Sequence, residues 1–278
     1  MGYRGKALIW SGLVVVLFLA FLARGEVGPA SRVVLVLSIC FLCELVDSGL
    51  GMGYGTILTP ALLALGYPLS DIVPTVLFSE LLSGLAASFF HNEIRNVDLR
   101  PRGTDLTRAL LLAGGSVVGV SAGVFLSFHL PAHVLKAVVG AIIALAGLFV
   151  VLHHNRLLVY RSWKMLLLSV VAAFNKAMSG GGYGPLVTSG QILSGVEGRA
   201  AVGITSFAEA FTCAFGVALF LAKGGYIETH LFLPMATGAL LSVPLSVFAI
   251  RKARERLLRL MIGILTMLLG GWVLYRAF

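Results

Sequence analysis

The chain carries nearly the same glycine-rich passage twice. Gly51-Met52-Gly53-Tyr54-Gly55-Thr56-Ile57-Leu58-Thr59 is followed, 129 residues later, by Gly180-Gly181-Gly182-Tyr183-Gly184-Pro185-Leu186-Val187-Thr188. The same offset pairs Gly66 with Gly195, Phe78 with Phe207 and Glu80 with Glu209. Further on it shortens to 123 and still pairs Gly115 with Gly238, Phe125 with Phe248, Gly140 with Gly263 and Gly147 with Gly270. Glycine-broken apolar segments at matching places in two halves are the mark of a repeat-built transporter with its site at the breaks.

Composition names the solvent. Hydrophobic residues make up 58% of the 278 positions and charged ones 12%, and the mean hydropathy is +0.97. Apolar runs of about 20 residues, long enough to span a bilayer core, recur from end to end. The chain therefore reads as an integral membrane protein with no water-soluble domain. Cys40, Cys43 and Cys213 lie inside apolar runs, where a free cysteine behaves as a small hydrophobe. No metal site or other cofactor is expected. The net charge of +9 sits in short loops between spans, which argues for the lipid bilayer as partner and against nucleic acid.

The fold class expected is all-α, a polytopic helical bundle. A first helix over about 8–23 stands outside the repeat as an N-terminal segment, 1–30. Repeat 1 takes 31–153: an apolar stretch at about 32–48, a short helix at 54–65, then spans near 72–91, 107–128 and 133–152. Repeat 2 takes 154–278 in the same order: 163–178, a short helix at 184–194, then 200–222, 231–250 and 256–276.

Loop charge sets the orientation. Arg4 and Lys6, then Arg95, Arg100, Arg102 and Arg108, then Arg156, Arg161 and Lys164, and finally Arg251, Lys252, Arg254, Arg256 and Arg259 hold 14 of the 21 basic residues. The positive-inside tendency puts them, and the N-terminus, in the cytoplasm. The 66–71, 129–136 and 223–230 loops are poor in them. A 12-residue segment at 54–65 is too short to cross at about 1.5 Å per residue. The simplest solution makes 32–48 with 54–65, and 163–178 with 184–194, re-entrant hairpins. Each repeat then holds one hairpin and three crossings, so the two are inverted. Eight or nine full crossings fit the same loops if the short segments stretch.

Non-helical backbone at membrane depth is tolerated where it is buried in protein or lines a wet cavity. The two glycine turns are thus the expected substrate site. Each short helix starts there, with free N–H groups and the positive end of its dipole facing the gap. Pro185 suits a first turn. Such a start prefers an anion, and glycine lets backbone come close to it. The expected contacts are Gly51, Gly53, Tyr54, Gly55 and Thr56, with Gly181, Gly182, Tyr183 and Gly184 opposite, and hydroxyls of Thr59 and Thr188. The alternative is that the glycines serve close helix packing only.

Ionisable residues within spans are functional candidates by default. Lys176, just before the second turn, is the expected cationic contact, with Asn175 beside it as a further donor. Asp47 holds the corresponding place in the first half, and an Asp47–Lys176 ion pair is the competing reading. Glu80 and Glu209 occupy one repeat position. They could carry protons, because burial favours a neutral carboxyl, or they could fix the turns by accepting hairpin N–H groups. Glu44 on the first arm could partner either. His91, His153 and His154 fall at span borders and read as interfacial.

These residues resemble the sulfite exporter TauE/SafE family of inner-membrane transporters. The resemblance covers about 30–275, and Ser179-Gly180-Gly181-Gly182-Tyr183-Gly184-Pro185 carries it most strongly. Two departures stand out: the proline that often follows the glycines is present as Pro60 but replaced by Ser189-Gly190 in the second half, and Met52 interrupts the first cluster. The resemblance implies a small sulfur-containing or carboxylate anion, such as sulfite or an organosulfonate. A proton-coupled secondary transporter is expected, with a homo-oligomer as one option for its assembly. The alternatives are a passive anion channel and a transporter of a non-sulfur organic acid. An enzyme is not expected: the chain shows no Ser-His-Asp set, no metal-ligand cluster and no phosphate-loop lysine.

Overall fold

The computed structural model describes residues 30–127 and 161–251, with isolated helical positions beyond 144 and 263. The expected helix at 8–23, the spans near 133–152 and 256–276, and the charges at 4–6, 153–160 and 252–259 lie outside the described residues.

Every element among the described residues is an α-helix. In chain order they are α1 (Ala30–Leu50), α2 (Tyr54–Ala64), α3 (Leu69–Glu93), α4 (Thr104–Ser127), α5 (Ser162–Ser179), α6 (Tyr183–Leu193), α7 (Gly198–Ala222) and α8 (Thr229–Arg251). Five of them, α1, α3, α4, α7 and α8, are long and apolar enough to cross a membrane. The 11 residues of α2 and of α6 reach about 16 Å each, roughly half a bilayer core. α1 has 21 residues, more than a half-depth arm needs.

Glycines end the first arm and start the short helix in each half by the same backbone route. Gly51 and Gly180 have φ of +71° and +74°, and Gly53 and Gly182 have +130° and +82°. Such left-handed positions cost an L side chain about 1–2 kcal/mol, which explains four glycines at matching places. The N–H of Gly51 donates to the carbonyl of Asp47 at 2.6 Å, and that of Gly180 to Lys176 at 2.9 Å.

The halves are intertwined. α8 packs along α1 and α4 along α5, so the last described helix of each half covers the first arm of the other. α3 and α7 pack on each other at the centre. Gly115 and Gly238 mark these contacts. A Cβ on Gly115 would lie 3.0 Å from the carbonyl oxygen of Leu166, and one on Gly238 2.3 Å from that of Leu37; Leu37 and Leu166 are again 129 apart. Gly119 and Gly123 extend the seam on α4, where a Cβ would come within 2.1 Å of the Val170 carbonyl oxygen and 2.6 Å of that of Phe174. Small residues bring the two backbones together, as they do between membrane helices.

α3 and α7 run in opposite directions. At one end the start of α3 meets the chain after α7: Tyr226 donates from its hydroxyl to Asp71 Oδ1 at 2.8 Å, and the N–H of Glu228 donates to Thr75 Oγ1 at 3.2 Å. At the other end the residues after α3 meet the start of α7, with Val97 and His91 against Gly203. The loops 66–71 and 223–228, both poor in basic residues, therefore share one face. The basic 94–103 loop lies on the other.

Candidate substrate site at the helix tips

The two glycine turns touch backbone to backbone. A Cβ on Gly55 would come within 1.7 Å of the carbonyl oxygen of Gly180, and one on Gly184 within 2.3 Å of that of Gly51. These contacts are reciprocal, since Gly55 and Gly184, like Gly51 and Gly180, are 129 residues apart. Hydrogen bonds cross the junction as well. The N–H of Gly182 donates to Thr56 Oγ1 at 2.9 Å, and Thr188 Oγ1 donates to the carbonyl of Gly51 at 2.8 Å. Gly181 lies against Gly55 and the N–H of Thr56. Of the expected contacts, Gly51, Gly55, Thr56, Gly181, Gly182, Gly184 and Thr188 are thus assembled at one place, with the tips closed on each other, while Gly53 stands against Val46 and Ile57 of its own half.

The tyrosines that open the short helices have another place. Both are fully buried. The hydroxyl of Tyr54 pairs with Ser79 on α3 at 2.7 Å, and that of Tyr183 with Ser116 on α4 at 3.1 Å. Their phenols reach into neighbouring helices and anchor the tips.

Thr59 and Thr188 hold one repeat position and differ. Thr188 is engaged with Gly51 and with Thr205 at 2.9 Å, and Gln191 Nε2 also donates to Thr205. The places matching Thr205 and Gln191 in the first half are Val76 and Leu62, so Thr59 lacks that support. Among the described residues the Thr59 hydroxyl, 2.8 Å from where a Cβ on Gly180 would stand, has no hydrogen-bond partner, and neither does Asn175 Nδ2. Both residues are buried. Asn175 Oδ1 accepts from Ser179 Oγ at 3.0 Å, and Ser179 also receives the N–H of Gly181. Two buried hydrogen-bond donors beside the second tip are left without acceptors, a condition that costs free energy unless a ligand or water fills it.

Behind the tips is a charged centre. Lys176, 1% exposed, is held by Glu209 Oε1 at 2.7 Å and by Glu80 Oε2. In place of the competing Asp47–Lys176 pair there is a bridge to both glutamates. α3 and α7 cross at the centre and deliver their equivalent glutamates to one ammonium. Nor do Glu80 and Glu209 accept the hairpin N–H groups; Asp47 does that, receiving the N–H of Tyr54 on its Oδ1 at 3.2 Å. A carboxylate at the start of α2 is favoured by the helix dipole, and it occupies one of the donors expected to face an anion. Oxygens of Asp47, Glu80 and Glu209 lie within 4.8 Å of one another, with the Lys176 ammonium already placed on two of the three groups.

Glu44 belongs to a second polar group. Its Oε1 accepts from Ser48, and its Oε2 accepts from Ser83 at 3.0 Å. His91, expected at the interface, is fully buried because the last turn of α3 packs on the end of α1. His91 Nε2 bonds to the carbonyl of Ser48 at 2.9 Å, and its Nδ1 to Asn96 Nδ2 at 3.0 Å. Sequence reading did not single out Ser48, Ser83 or Asn96. The four-residue spacing of Glu44 and Ser48 on an apolar helix was the available signal, since such residues share a face.

Residues 36–273 match the sequence model of the family described as Sulfite exporter TauE/SafE. The chain is also similar to a protein of Bacillus subtilis (strain 168) named probable membrane transporter protein YtnM. The two are 28% identical over 236 residues, covering 80% of this chain and 76% of that protein. No solved structure matches it. The family match spans most of the chain, and five of the helices it overlaps are long and apolar enough to cross a membrane: the chain belongs to the sulfite exporter TauE/SafE family of membrane transporters.

Proposed function

We propose that this transporter carries a small oxyanion, sulfite or an organosulfonate or sulfur-containing carboxylate, across the inner membrane, and that the anion binds where the two glycine tips meet. The observation that carries the reading is the pair of unpartnered buried donors, Asn175 Nδ2 and Thr59 Oγ1, beside two helix starts whose N–H groups face the same junction. Donors without acceptors at a pair of positive helix ends suit an anion's oxygens. With the tips in backbone contact the anion enters only when they part, so the described arrangement is the closed one.

The inverted-repeat reading draws support from the packing. Exchange of the halves carries α1 with α8 onto α5 with α4, and brings α3 and α7 onto each other. With α2 and α6 too short to cross, two hairpins that dip to the midplane from opposite faces fit this arrangement. The basic 94–103 loop then lies in the cytoplasm and the loops 66–71 and 223–228 outside.

Coupling to protons follows from charge count. Asp47, Glu80 and Glu209 face one ammonium, and charge buried without a partner is costly at membrane depth. Protons are the simplest species to balance the surplus carboxylates. An anion that draws on Lys176 displaces a glutamate, which takes a proton as it lets go. The experiment is a thermal-shift screen of the purified protein against sulfite, thiosulfate, sulfoacetate, taurine and simple carboxylates. Stabilisation by a sulfur oxyanion or sulfonate, lost in Asn175→Ala, supports the reading. Stabilisation by none of the anions would end it.

A further inference from the structure

The tips and the central charges obey the repeat, but the polar group around Glu44 does not. It consists of Glu44, Ser48, Ser83, His91 and Asn96. The positions 129 residues on are Ala173, Ala177, Thr212, Phe220 and Gly225. Ala173, Ala177 and Phe220 are buried, and Thr212 turns its hydroxyl back onto the Ala208 carbonyl at 2.8 Å. One half thus has a buried polar string from the 94–103 loop inward, and the other half has two alanines, a phenylalanine, a glycine and a single hydroxyl, that of Thr212, at the matching positions.

The string ends at the central charges. Asn96 lies in the loop after α3, and its amide donates to His91 Nδ1. His91 therefore carries its hydrogen on Nε2 and donates it to the Ser48 carbonyl, one of the α1 carbonyls that have no partner within the helix. Ser48 and Ser83 both give their hydroxyls to Glu44. Glu44 stands three residues before Asp47 on α1, a spacing that makes them neighbours on one helix face. The titratable groups around Glu44 are Cys40, Cys43 and Asp47 on its own helix, Tyr54 on α2, Glu80 and His91 on α3, Lys176 on α5 and Glu209 on α7. α8 brings a serine there, Ser246, which donates to the Leu45 carbonyl.

We propose that Glu44 is the proton station joining the central charges to the 94–103 loop face, and that protons reach those charges from that face alone. Glu44 has no counterpart, no cationic partner of its own among the described residues, and a place between the loop and Asp47. A proton taken from hydronium at the loop face adds to the Glu44 carboxylate and leaves water behind. Glu44 then passes it to Asp47 and becomes a carboxylate again. From Asp47 it moves to whichever glutamate releases Lys176, so each transfer empties one oxygen as it fills the next. His91 is a positioning residue, holding Ser48 and through it Glu44. The proposal rests on the proton-coupled reading above but concerns the route, not the anion.

Deuterium exchange followed by infrared spectroscopy tests the route without any substrate. Purified protein in lipid is moved from H2O to D2O while the carboxylic-acid bands are recorded; Glu80→Gln and Glu209→Gln assign the central bands, and the amide band in the same spectra reports folding. Glu44→Gln slows deuteration of the central bands by at least about tenfold, equivalent to roughly 1.4 kcal/mol in barrier. Ser83→Ala, which keeps the carboxyl but removes a hydroxyl, slows it less, and Thr212→Val leaves it unchanged. Folded Glu44→Gln protein that deuterates as fast as wild type would overturn the proposal. Equal slowing in Thr212→Val would overturn one-sided access, and absence of any carboxylic-acid band would sink the route and the coupling reading together. Slow exchange in Glu44→Gln, alongside wild-type anion uptake indifferent to a pH gradient, would uphold the route and refute the coupling.

Discussion

Lys176 Nζ stands 2.7 Å from Glu209 Oε1, two buried groups on helices that the repeat makes non-equivalent. The counterpart of Glu209 is Glu80, which closes on the same ammonium, while the counterpart of Lys176 is Asp47, which faces the start of α2 instead. The single cation at the centre is thus balanced within the protein. On the proposed reading, an anion at the tips would compete for it with two carboxylates, which would tie anion binding to proton uptake.

Removing the cation tests that balance. Lys176→Met leaves Glu80 and Glu209 facing each other, and breaking a buried pair costs about 3–5 kcal/mol. The melting temperature of the purified protein should fall clearly. The triple variant with Glu80→Gln and Glu209→Gln should recover most of the loss. The affinity of the anion found in the thermal-shift screen should drop at least about tenfold in the triple variant, or roughly 1.4 kcal/mol. Unchanged affinity there would remove Lys176 from binding.

The glycines at the tips should be unequal. Gly55→Ala and Gly184→Ala place a methyl 1.7 and 2.3 Å from a carbonyl oxygen, so the tips cannot close as they do, and transport should fall sharply while membrane insertion persists. Gly53→Val and Gly182→Val fail for a different reason, the left-handed backbone. Gly114→Ala on α4, with nothing within 4 Å of the added carbon, should leave transport intact and raise stability by up to about 1 kcal/mol. Full transport by the Gly55→Ala protein would reduce the tip glycines to ordinary packing residues.

Much of this was legible in the chain. Apolar runs interrupted by glycine place all eight described helices within about three residues of their ends, because both signals are local. The doubled glycine motif also located the tips. What sequence could not show was which helices the intertwining brings together. Lys176 met Glu80 and Glu209 because α3 and α7 cross behind α5, and no spacing along the chain encodes that. His91 read as interfacial because it ends an apolar run, whereas the neighbouring end of α1 buries it. The inequality of Thr59 and Thr188 depends on Thr205 and Gln191, polar residues within apolar helices whose direction only packing decides.

Buried His91 supports the first tip, and its loss should be felt in stability. His91→Phe, the residue its counterpart Phe220 carries, leaves the Ser48 carbonyl without its donor at a cost of about 1–3 kcal/mol. Thermal melting should show this, with a smaller effect for Asn96→Ala. A melting temperature equal to wild type would mean that water replaces the ring.

Orientation is open to labelling. In a variant without native cysteines, Pro68→Cys and Tyr226→Cys should react with a membrane-impermeant reagent from outside the cell, and Arg100→Cys, Arg156→Cys and Ala253→Cys should not. Reaction of Arg100→Cys from outside would reverse the assignment, and reaction of Glu197→Cys only from outside would make the second hairpin a full crossing.

The most direct measurement is protection of Thr59 by the transported anion. Thr59→Cys, in protein with Cys40, Cys43 and Cys213 replaced by alanine, puts a thiol where the unpartnered hydroxyl stands beside Gly180. The rate of alkylation by a small maleimide is followed with and without the anion that accumulates in proteoliposomes. A site between the tips predicts slow alkylation when saturating anion is present and faster alkylation without it. Alkylation at one rate under both conditions would contradict an anion site at the tips.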